Sequence, residues 1–550
     1  MRYKILVTDE IDPEGVALLA GVEEFDVDEV PTLPPAELLA RIAAYDALVG
    51  RSATKVSAEV LRAATRLKVV GRAGVGVDNI ALDTATELGI AIINAPAGNT
   101  IAVAELFFGV VIGLLRHLPR AYESMHAGRW ERSSLLGSEL KGKTLGIVGV
   151  GRIGGEVAVR AHSFDMSVVG YDPYIAESRF QSLRVHRCAS LDELLDEADI
   201  VTVHTPLTDE TRGMIGRREL AHLSPSSMVI NMARGGIVDE EALAEAIDAG
   251  KLAGGAVDAF MKEPLSADHP LAKFPNVFLT PHIGASTAEA QRNVAVDACA
   301  AVRDALLSGE YSRSINVPEG EHGKWEELRS ARMLTRRAAS IGRAILAAQG
   351  TSVVGRIDVR GSNTLSPARE TLVASAALGV LEAVVEQERL NLINARTLAE
   401  ARGIELSFTE SADGGQAEVL GATKAVEVRL TGGMNDITVG GIAYSHGNGL
   451  DNGDGAFRIT RIGAFRVDVY PRDTLVILTN RDVPGVIGRV GTLLGEAGVN
   501  IAEYHQARLA QGGEALAAVS VDGAVGEEVK KRLLDLPDVR SVTVVSFRKE

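Results

Sequence analysis

The first hundred residues alternate short apolar runs with segments of helical periodicity. The runs KILVT (4–8), ALVG (47–50) and GIAIINAP (89–96) are separated by stretches such as PAELLARIAAY (35–45), whose apolar residues recur three and four positions apart. Short apolar runs of this length predict strands, and the spaced pattern predicts amphipathic helices. Strands that alternate with helices are typical of a parallel sheet with helices on both faces. We therefore predict a doubly wound α/β domain here.

A second α/β series follows a long helical segment at 102–126. Its apolar runs are almost free of polar residues, as expected of parallel strands that are covered on both faces. These runs are TLGIVGVG (144–151), SVVGYDP (167–173), DIVTVHTP (199–206), SMVINMARGG (227–236), AGGAVDAF (253–260) and NVFLTPH (276–282). An Ala- and Val-rich helix then runs from about 286 to 307. It comes too late to extend the second sheet simply, so we predict that it returns to the first domain.

The pattern breaks at Pro318 and Gly320, which mark a linker. The segment that follows mixes helices (328–348, 368–389) with β-rich stretches (425–433, 436–445) and a Gly/Asn/Asp-rich loop (445–455). From Leu475 the pattern is strand, helix, strand, strand, helix, strand. We predict two doubly wound parallel-sheet domains, an α+β intervening domain and a C-terminal βαββαβ domain. Their boundaries are predicted at 1–98 with 286–315, 99–285, 319–470 and 473–550.

Composition narrows the possible partners. The formal net charge is −16, and no Lys/Arg-rich run offsets it, which argues against a nucleic-acid partner. The two cysteines, Cys188 and Cys299, are too few for a disulfide framework or a cysteine-based zinc site, and we predict no metal. The chain opens directly on a predicted strand, and its most apolar helical stretch is too short to span a bilayer. We therefore expect a cytoplasmic protein without a membrane partner.

A glycine-rich turn indicates a dinucleotide site. Gly149, Gly151 and Gly154 form a GxGxxG pattern between a predicted strand and a predicted helix. The first glycine permits the tight turn, the second lets a pyrophosphate approach the backbone, and the third brings helix and strand together. Asp172, at the end of the next strand, suits the ribose hydroxyls of the adenosine, and its charge opposes a 2′-phosphate. The pattern favours NAD over NADP.

Three polar side chains follow consecutive strands of the second predicted sheet. Arg234, Glu263 and His282 lie where the strands end, which is the edge at which open α/β sheets bind ligands. Arg234 can bind a carboxylate with its planar fork. His282 can exchange a proton with a hydroxyl, and Glu263 can orient the imidazole and favour its protonated form. Together they suit hydride transfer at the C2 carbon of a small 2-hydroxy acid.

Five motifs resemble those of the D-isomer-specific 2-hydroxyacid dehydrogenases. They are GRAGVGVDNI (71–80), GKTLGIVGVGRIG (142–154), HTPLTDETRGMI (204–215), NMARGGIVDEEAL (231–243) and LTPHIGAST (279–287). The resemblance is dense over residues 1–318 and thinner over 319–470. It implies a Rossmann-type NAD-binding domain inserted in a flavodoxin-like substrate-binding domain. It also assigns the catalytic set to the arginine, glutamate and histidine named above.

The resemblance implies further contacts to the cofactor and the substrate. Beyond the glycines and Asp172, the implied NAD contacts are Val75, Arg152, Ile153, Thr205, Met232, Ala233, Arg234, Asp258, His282 and Gly284. Relatives often carry a hydroxyl where this chain has Val75, which can offer only its backbone and packing. The implied substrate contacts are Arg51, Ser52, Gly74, Asn99 and Arg132. Arg51 and Ser52 match a phosphoglycerate-type loop, whereas Arg129 and Arg132 belong to a segment that reaches a neighbouring subunit in such enzymes. A homo-oligomer, dimer or tetramer, is therefore expected.

The C-terminal stretch 475–508 resembles an ACT domain, a ligand-binding unit common in amino-acid metabolism. Asp482 can accept an amino group and the following helix start can bind a carboxylate, while Asn500 would complete the site across a dimer. L-serine is the expected regulatory ligand, and a structural role without ligand is the alternative. The intervening segment resembles one that can hold an anion. Arg458, Arg461 and Arg466 are its candidates, although a solvated strand face is the favoured interpretation.

The resemblance implies NAD-dependent oxidation of 3-phospho-D-glycerate to 3-phosphohydroxypyruvate, the first step of L-serine biosynthesis. Two alternatives stay open. One is a different dehydrogenase of the same family, acting as a reductase of hydroxypyruvate, glyoxylate or 2-oxoglutarate. The other is a regulatory protein that senses NAD(H) on the same fold. The presence of Arg234, Glu263 and His282 argues against the second, because a sensor has no need of all three.

Overall fold

The computed structural model describes seven stretches of the chain: 2–311, 313–317, 325–351, 353–382, 390–411, 424–444 and 457–547. Three sequence predictions lie wholly or partly outside these residues. They are the linker positions Pro318 and Gly320, the loop at 445–455 and the end of the helix at 368–389.

The first sheet is fully parallel, with the strand order β2-β1-β3-β4-β5. This is the flavodoxin-like order, so the predicted doubly wound fold is confirmed here. The strands are β1 (Tyr3–Val7), β2 (Phe25–Glu29), β3 (Ala47–Gly50), β4 (Val69–Arg72) and β5 (Ala91–Asn94). The helices between them are α1 (Pro13–Ala20), α2 (Pro35–Arg41), α3 (Ala58–Ala63) and α4 (Leu82–Glu87), with a 3-10 turn at Ile42–Ala44.

The long predicted helical segment at 102–126 is two helices, so its prediction as one is wrong. Helix α5 (Thr100–Leu115) and helix α6 (Leu118–His126) meet at an angle of 65°. His117 between them has a left-handed backbone with φ +53°. Pro119 lies in the first turn of α6, where a residue without an N–H is tolerated, and it restricts the preceding backbone. The break directs α6 away from the apolar face of α5.

The second sheet is also fully parallel, with the strand order β12-β11-β10-β9-β6-β7-β8. The order reverses between β6 and β9, as in a dinucleotide-binding sheet. Its strands are β6 (Thr144–Val148), β7 (Ser167–Tyr171), β8 (His186–Arg187), β9 (Ile200–Val203), β10 (Met228–Asn231), β11 (Gly254–Val257) and β12 (Val277–Leu279). Its helices are α7 (Arg152–Ser163), α8 (Glu177–Leu183), α9 (Leu191–Glu197), α10 (Arg217–Leu220) and α11 (Glu240–Asp248), with 3-10 turns at Arg132–Ser134 and Pro270–Lys273. Every residue of β9 and β11 is buried, which explains their uninterrupted apolar sequence.

Helix α12 (Ala288–Ser308) follows the second sheet and packs on the first. Its buried face enters the same core as strands β1, β3 and β4. The contact with α1 is close because Gly15 has no side chain: a Cβ there would lie 2.7 Å from the backbone of Ala295. The chain therefore crosses between the two sheets twice, once at α5 and once at α12.

The intervening segment forms a mixed sheet with the order β14-β13-β15-β16-β17-β18. Its strands are β13 (Arg356–Ser362), β14 (Glu405–Ser411), β15 (Lys424–Gly432), β16 (Asn435–Ala443), β17 (Phe457–Ile462) and β18 (Phe465–Val469). Its helices are α13 (Trp325–Ala348), α14 (Arg369–Leu381) and α15 (Ala395–Glu400), with a 3-10 turn at Asn363–Ala368. The sequence pattern predicted two β-rich stretches at the positions of β15 and β16, and it missed the strands that flank them.

The C-terminal unit has the predicted order of strand, helix, strand, strand, helix, strand. Its elements are β19 (Thr474–Arg481), α16 (Val486–Glu496), β20 (Ile501–Arg508), β21 (Glu514–Val521), α17 (Glu527–Leu534) and β22 (Val539–Ser546). They form an antiparallel sheet with the order β20-β21-β19-β22. One face of this sheet shares a core with helix α13, through residues such as Leu475, Leu516 and Val545.

Among the described residues, no single helix is long and apolar enough to cross a membrane. The bent pair of α5 and α6 meets that test only by combined length and composition. Helix α5 buries most of its apolar residues against the second sheet, as a core helix does.

The two cysteines are predicted to be unreactive in the folded protein. Cys188 and Cys299 are buried, and burial raises the pKa of their thiols to about 11 and about 12. Thiolate, the nucleophilic form, is therefore scarce at mildly alkaline pH. Ellman's reagent should label neither thiol in the native protein and both in denaturant. A variant with an exposed thiol, Ser133→Cys, should react at once under native conditions, and rapid native labelling of the wild type would contradict the buried placement.

Candidate active site

The predicted catalytic side chains follow three neighbouring strands of the second sheet. Arg234 comes after β10, Glu263 after β11 and His282 after β12. Since parallel strands end at one edge, these loops meet there, as open α/β sheets require of a ligand site. The glycine-rich turn and Asp172 follow β6 and β7 at the same edge, on the other side of the point where the strand order reverses.

The glycine-rich turn has the geometry expected of a dinucleotide site. Gly149 has φ +93°, and a Cβ there would lie 2.8 Å from the carbonyl oxygen of His204. A Cβ on Gly154 would lie 2.1 Å from the carbonyl oxygen of Gly149, so the helix can pack on the turn only with glycine. A Cβ on Gly151 would meet no atom within 4 Å. Glycine at this position leaves space in front of the start of α7, where a pyrophosphate could approach the backbone N–H groups.

Asp172, which follows β7, stabilises the glycine-rich turn through a hydrogen bond to its side chain. Asp172 accepts hydrogen bonds from the backbone N–H of Val150 at 3.0 Å and of Tyr174 at 3.0 Å. A carboxylate has further acceptor capacity, so these contacts leave it able to bind ribose hydroxyls. The half-buried carboxylate thus links the glycine turn to the strand end where the adenosine of a dinucleotide would lie.

The other residues expected at the cofactor lie along the same edge. The Thr205 hydroxyl, after β9, is buried and has no hydrogen-bond partner among the described residues. Such a group is unfavourable unless a ligand or water satisfies it. Met232 is buried and Ala233 half-buried in the loop after β10, while Arg152 is exposed and Ile153 half-buried at the start of α7. Open space at Gly151, the unsatisfied Thr205 hydroxyl and the acid at Asp172 fit a bound dinucleotide.

His282 and Glu263 form a hydrogen-bonded pair. His282 Nδ1 lies 2.9 Å from Glu263 Oε1 and 3.0 Å from Oε2. An ionised carboxylate can only accept, so Nδ1 carries the proton and Nε2 keeps a lone pair. The backbone N–H of Phe260 also donates to Glu263 Oε1, at 3.0 Å. Both side chains remain partly exposed, which leaves Nε2 accessible to a substrate hydroxyl.

The loop that carries His282 is held by a buried carboxylate. Asp258, at the end of β11, accepts hydrogen bonds from the Thr280 hydroxyl at 2.6 Å and from the backbone N–H groups of Ile283 at 2.8 Å and Gly284 at 2.9 Å. His282 itself has a left-handed backbone, with φ +54°. Non-glycine residues adopt this conformation only where their surroundings impose it. Asp258, expected at the cofactor, thus also fixes the loop geometry.

Arg234 reaches across the cleft between the first and second sheets. Its Nε donates to Asp78 Oδ2 at 3.0 Å, and its Nη1 donates to the carbonyl oxygen of Ala233 at 2.7 Å. A Cβ on Gly76 would lie 2.0 Å from Arg234 Nη2, so the guanidinium lies directly on the loop after β4. Asn231 holds the base of the loop by donating to the carbonyl oxygen of Arg234 at 2.9 Å. The arginine is therefore fixed at both ends.

The residues expected to bind substrate lie on the facing edge of the first sheet. Arg51 and Ser52 follow β3, with Arg51 Nη1 donating to Gln291 Oε1 at 3.3 Å. Gly74 and Val75 follow β4, and the Val75 carbonyl accepts a hydrogen bond from Asn94. Asn99 begins α5, and its buried side-chain oxygen has no partner among the described residues. An unsatisfied amide beside the cleft is a favourable place for a ligand donor.

The segment after α6 carries two further arginines that the sequence analysis assigned to the substrate side. Arg129 is paired with Glu131 at 2.7 Å, and Arg132 is exposed on a short 3-10 turn without a partner in the described part of the chain. Large apolar side chains are exposed beside them: Leu118, Tyr122, Met125, Trp130 and Leu136. Trp130 is 78% exposed and Leu136 89% exposed. We refer to these five side chains as the α6 patch.

The two residues expected to bind a regulatory ligand are far apart within one chain. Asp482 follows β19 at the end where Arg481 pairs with Glu514, whereas Asn500 precedes β20 at the end where Ile501 pairs with Val521. The length of an eight-residue strand, about 25 Å, therefore separates them. Asp482 accepts hydrogen bonds from the backbone N–H of Gly512 at 3.1 Å and from Arg508 Nη1 at 3.2 Å. Both contacts lower the pKa of its carboxyl group, Gly512 most.

The arginines considered for an anion in the intervening domain are engaged in the structure. Arg458 Nη2 donates to Glu503 Oε2 at 2.9 Å, and its Nε pairs with Asp468. Arg461 Nη1 pairs with Glu427 at 2.8 Å. Arg466 is opposite Arg461 in the strand register and also has an interaction partner. The favoured interpretation of a charged, solvated strand face agrees with these contacts.

Two residues of the cleft were not predicted from the sequence. Asp78 binds Arg234, and the half-buried Arg72 ends β4 beside the glycine loop. Both lie inside the quoted motif GRAGVGVDNI, so the signal was present. The sequence pattern does not show which sheet edge faces this motif. The structure shows that the motif lines the cleft as well as turning the chain.

Comparison with known proteins agrees with this geometry. Residues 108–284 match the family described as the D-isomer specific 2-hydroxyacid dehydrogenase, NAD binding domain, and residues 474–538 match the ACT domain. A D-3-phosphoglycerate dehydrogenase of Synechocystis sp. is 37% identical over 99% of this chain and 95% of its own length. One from Bacillus subtilis is 37% identical over 99% of this chain and 100% of its own length.

Solved structures match a little over half of this chain. The crystal structure of a D-lactate dehydrogenase from Aquifex aeolicus, complexed with NAD and lactic acid, is 27% identical, with a TM-score of 0.51 over 56% of this chain and 97% of that one. The chain therefore belongs to the D-isomer-specific 2-hydroxyacid dehydrogenase family, in the group of the D-3-phosphoglycerate dehydrogenases. Its second sheet is the NAD-binding domain of that family, and its last sheet is an ACT domain.

The pairing of His282 with Glu263 generates a prediction about turnover. His282→Gln removes the group that exchanges the proton, so kcat should fall about 10²–10⁴-fold while NADH binding stays nearly unchanged. Steady-state rates and calorimetric titration of NADH measure the two effects separately. His222→Gln, a change at a half-buried histidine that pairs with Asp196, should leave both unchanged. Near-normal turnover of the His282 variant would place the base elsewhere.

Proposed function

We propose that the chain catalyses the NAD-dependent oxidation of 3-phospho-D-glycerate to 3-phosphohydroxypyruvate, the first step of L-serine biosynthesis. The observation that carries the proposal is the cleft itself. A His–Glu pair and Arg234 occupy one sheet edge, and the facing edge presents Arg51. A base, a carboxylate ligand and a second cationic end together match a 2-hydroxy acid that carries a phosphate.

The proposed chemistry follows from the hydrogen bonds of the site. Arg234, fixed by Asp78 and the Ala233 carbonyl, presents its remaining N–H groups to the substrate carboxylate. His282 Nε2 takes the proton of the C2 hydroxyl, and Glu263 stabilises the imidazolium that forms. NAD, when bound, supplies the acceptor for the hydride that leaves C2. In the reverse direction His282 returns the proton to the carbonyl oxygen.

We propose that the cofactor is held by the edge residues named above. Arg152 and Ile153 begin the helix that faces the pyrophosphate, Asp172 meets the ribose, and Thr205 offers an unsatisfied hydroxyl. Asp258 and its loop lie where the nicotinamide end approaches His282. Each assignment is supported by its position at the carboxyl ends of the strands of the second sheet.

We propose domain boundaries that follow the four separate sheets. Residues 1–98 with 286–315 form the substrate-binding domain, 99–285 the NAD-binding domain, 319–470 the intervening domain and 473–550 the ACT domain. The first and second sheets have cores of their own, and the intervening sheet shares one with the C-terminal sheet. Helix α12 supports the discontinuous first domain by packing on β3 and β4.

The proposed function predicts a preference for the phosphorylated substrate. The full-length protein should form NADH from 3-phosphoglycerate with a kcat/KM about 10²-fold or more above that for D-glycerate, because a charge-assisted contact to phosphate contributes several kcal/mol in a cleft. Absorbance of NADH gives the rates. Equal use of D-glycerate, or faster reduction of glyoxylate or 2-oxoglutarate than of 3-phosphohydroxypyruvate, would favour the alternative dehydrogenase instead.

We propose that the protein is a homo-oligomer. The α6 patch supports this, since apolar side chains as exposed as Trp130 and Leu136 are typical of a surface that is covered by a partner. Arg129 and Arg132 lie in the same segment, so a second copy seated on it would bring Arg132 towards a neighbouring cleft. The separation of Asp482 from Asn500 within one ACT domain supports assembly independently.

We propose further that L-serine binds between two ACT domains and regulates the enzyme. Asp482, ionised at neutral pH, suits the ammonium group, and the free N–H groups at the start of α16 suit the carboxylate. Asn500 can join them only from a partner subunit. The serine site and the catalytic cleft are in different domains, so inhibition would be a coupling between sites, with about 1–3 kcal/mol being typical.

A complementation experiment tests the shared serine site. Asp482→Ala and Asn500→Ala should each abolish serine binding in calorimetry and serine inhibition in the assay. Co-expressed with different tags and purified as a mixed dimer, the two variants should regain about half of the sites, because one of the two sites in the dimer then has both wild-type residues. Asp535→Asn, at an exposed position of the same domain, should bind serine normally. A mixed dimer that neither binds serine nor is inhibited by it would contradict a site built from two subunits.

A further inference from the structure

A second His–Glu pair lies next to the loop that carries the catalytic glutamate. Glu240 is the first residue of α11, and His269 precedes the 3-10 turn at Pro270–Lys273. Glu240 Oε2 lies 2.9 Å from His269 Nε2, and the two side chains are only 12% and 16% exposed. The side chains of Glu263 and His282 are far more open to the cleft. The second pair is therefore mostly buried where the first is accessible to substrate.

The imidazole of His269 is a hydrogen-bond donor to Glu240. Its Nδ1 accepts a hydrogen bond from the backbone N–H of Leu271 at 3.3 Å, so Nδ1 carries no proton and Nε2 carries one. The ring of Phe260 packs edge-on against the imidazole, with the ring centroids 5.9 Å apart. His269 is thus fixed both in position and in tautomer, and it binds one carboxylate oxygen of Glu240.

The other oxygen of Glu240 binds the loop after β11. Glu240 Oε1 accepts a hydrogen bond from the backbone N–H of Met261 at 2.7 Å. The preceding N–H, that of Phe260, donates to Glu263 Oε1 at 3.0 Å. Two consecutive N–H groups of this loop therefore bind two different carboxylates. A shift of Phe260 would move the donor to Glu263 and, with it, the hydrogen bond that sets the direction of the His282 imidazole.

The same stretch of backbone packs on the loop that carries Arg234. A Cβ on Gly235 would lie 2.0 Å from the carbonyl carbon of Phe260 and 2.2 Å from the backbone nitrogen of Met261. Only glycine permits so close an approach of two backbones. Glu240 therefore holds the chain at the point where the loops after β10 and β11 meet.

Stabilisation of helix α11 does not account for these contacts. Glu240 and Glu241 both lie in its first turn, where the helix dipole favours a carboxylate, and Asp239 already caps the helix. Glu241 is exposed, whereas Glu240 uses both of its oxygens inside the protein. Burial of a carboxylate is unfavourable unless its oxygens are hydrogen-bonded, so the Met261 N–H and the His269 imidazole have to be in place together.

We propose that Glu240, held by His269, is a positioning residue for the catalytic pair of Glu263 and His282. It acts through the backbone of Phe260 and Met261 and not by contact with the substrate. The inference rests on the proposed function, in which Glu263 orients His282 as the proton acceptor. A displacement of a catalytic group by about 1 Å can lower a rate about 10²-fold, so a residue that fixes only the loop can have a large effect on turnover.

Steady-state kinetics of Glu240 variants in the full-length protein test the assignment. Glu240→Ala should lower kcat about 10–100-fold while the KM values for NAD and for the 2-hydroxy acid stay within about threefold of the wild type, because the binding groups remain and only the proton acceptor is displaced. Glu240→Gln keeps one of the two acceptor oxygens, so it should restore part of the lost kcat. Glu241→Ala removes the same charge from the same helical turn and is the matched control, which should leave kcat unchanged.

A double-mutant cycle distinguishes positioning from a general loss of structure. If Glu240 acts through Glu263, the change Glu240→Ala should lower kcat less than about threefold in a Glu263→Ala background, because the pair that it positions is already absent. Losses of kcat that multiply in the double variant, or an unchanged kcat in Glu240→Ala alone, would overturn the proposal. If Glu240→Ala is unfolded at the assay temperature, as judged by circular dichroism, Glu240→Gln carries both measurements.

The choice of substrate separates this proposal from the proposed function. The rates are measured with 3-phosphoglycerate or, if the wild type does not oxidise it, with the 2-hydroxy acid that the wild type oxidises fastest. A wild type that fails to oxidise 3-phosphoglycerate would contradict the proposed function. The double-mutant cycle on the other acid would still decide the role of Glu240, since the catalytic pair serves any 2-hydroxy acid in the same way.

Discussion

The buried carboxylate of Asp258 is the contact on which the catalytic geometry depends. It lies at the end of β11, is 1% exposed, and uses both oxygens to hold the loop after β12. That loop forces His282 into a left-handed backbone, a conformation that its own preferences oppose. Three hydrogen bonds to a buried acceptor can offset such strain. The direction of the imidazole towards Glu263 therefore follows from a residue that need not take part in the proton transfer.

The two sheet edges that form the cleft contribute different chemical groups to the site. The second sheet supplies the proton acceptor and its orienting carboxylate, in a loop system fixed by backbone hydrogen bonds. The first sheet supplies cations, and its glycines, Gly74 and Gly76, allow two guanidinium groups to lie on the backbone. Arg234 joins the two edges through Asp78. A relative movement of the sheets would alter this ion pair first, and with it the group that meets the substrate carboxylate.

The strands, the glycine turn and the order of the catalytic residues could be predicted from the sequence because each is a local pattern. Apolar runs give parallel strands, and consecutive strand ends meet at one edge. The break at His117 and the short strand β8 were missed, since a single residue conformation and a two-residue pairing leave almost no periodic signal. Arg72 and Asp78 were missed for a different reason. Their roles depend on which side chains face them from distant parts of the chain, and no spacing rule contains that information.

The last two sheets share one hydrophobic core, which constrains how a ligand on the ACT domain can act. Leu475 and Leu516 of the C-terminal sheet pack in the same cluster as Leu334 of α13 and Ile459 of β17. Strands β18 and β20 also lie side by side, and Arg458 of the neighbouring strand β17 donates to Glu503 of β20. Removing the C-terminal sheet would expose this core, so truncation would test stability rather than regulation. A change at β20 would alter the packing of the intervening sheet, because packed cores shift between discrete arrangements rather than deform continuously.

The intervening domain also contacts the first domain, where Asn391 and Asn394 donate to the carbonyl oxygens of Gly89 and Glu87. These carbonyls lie just before β5, whose far end leads to Asn99 at the cleft. A continuous path of packed and hydrogen-bonded elements thus connects the ACT sheet to the substrate side of the active site.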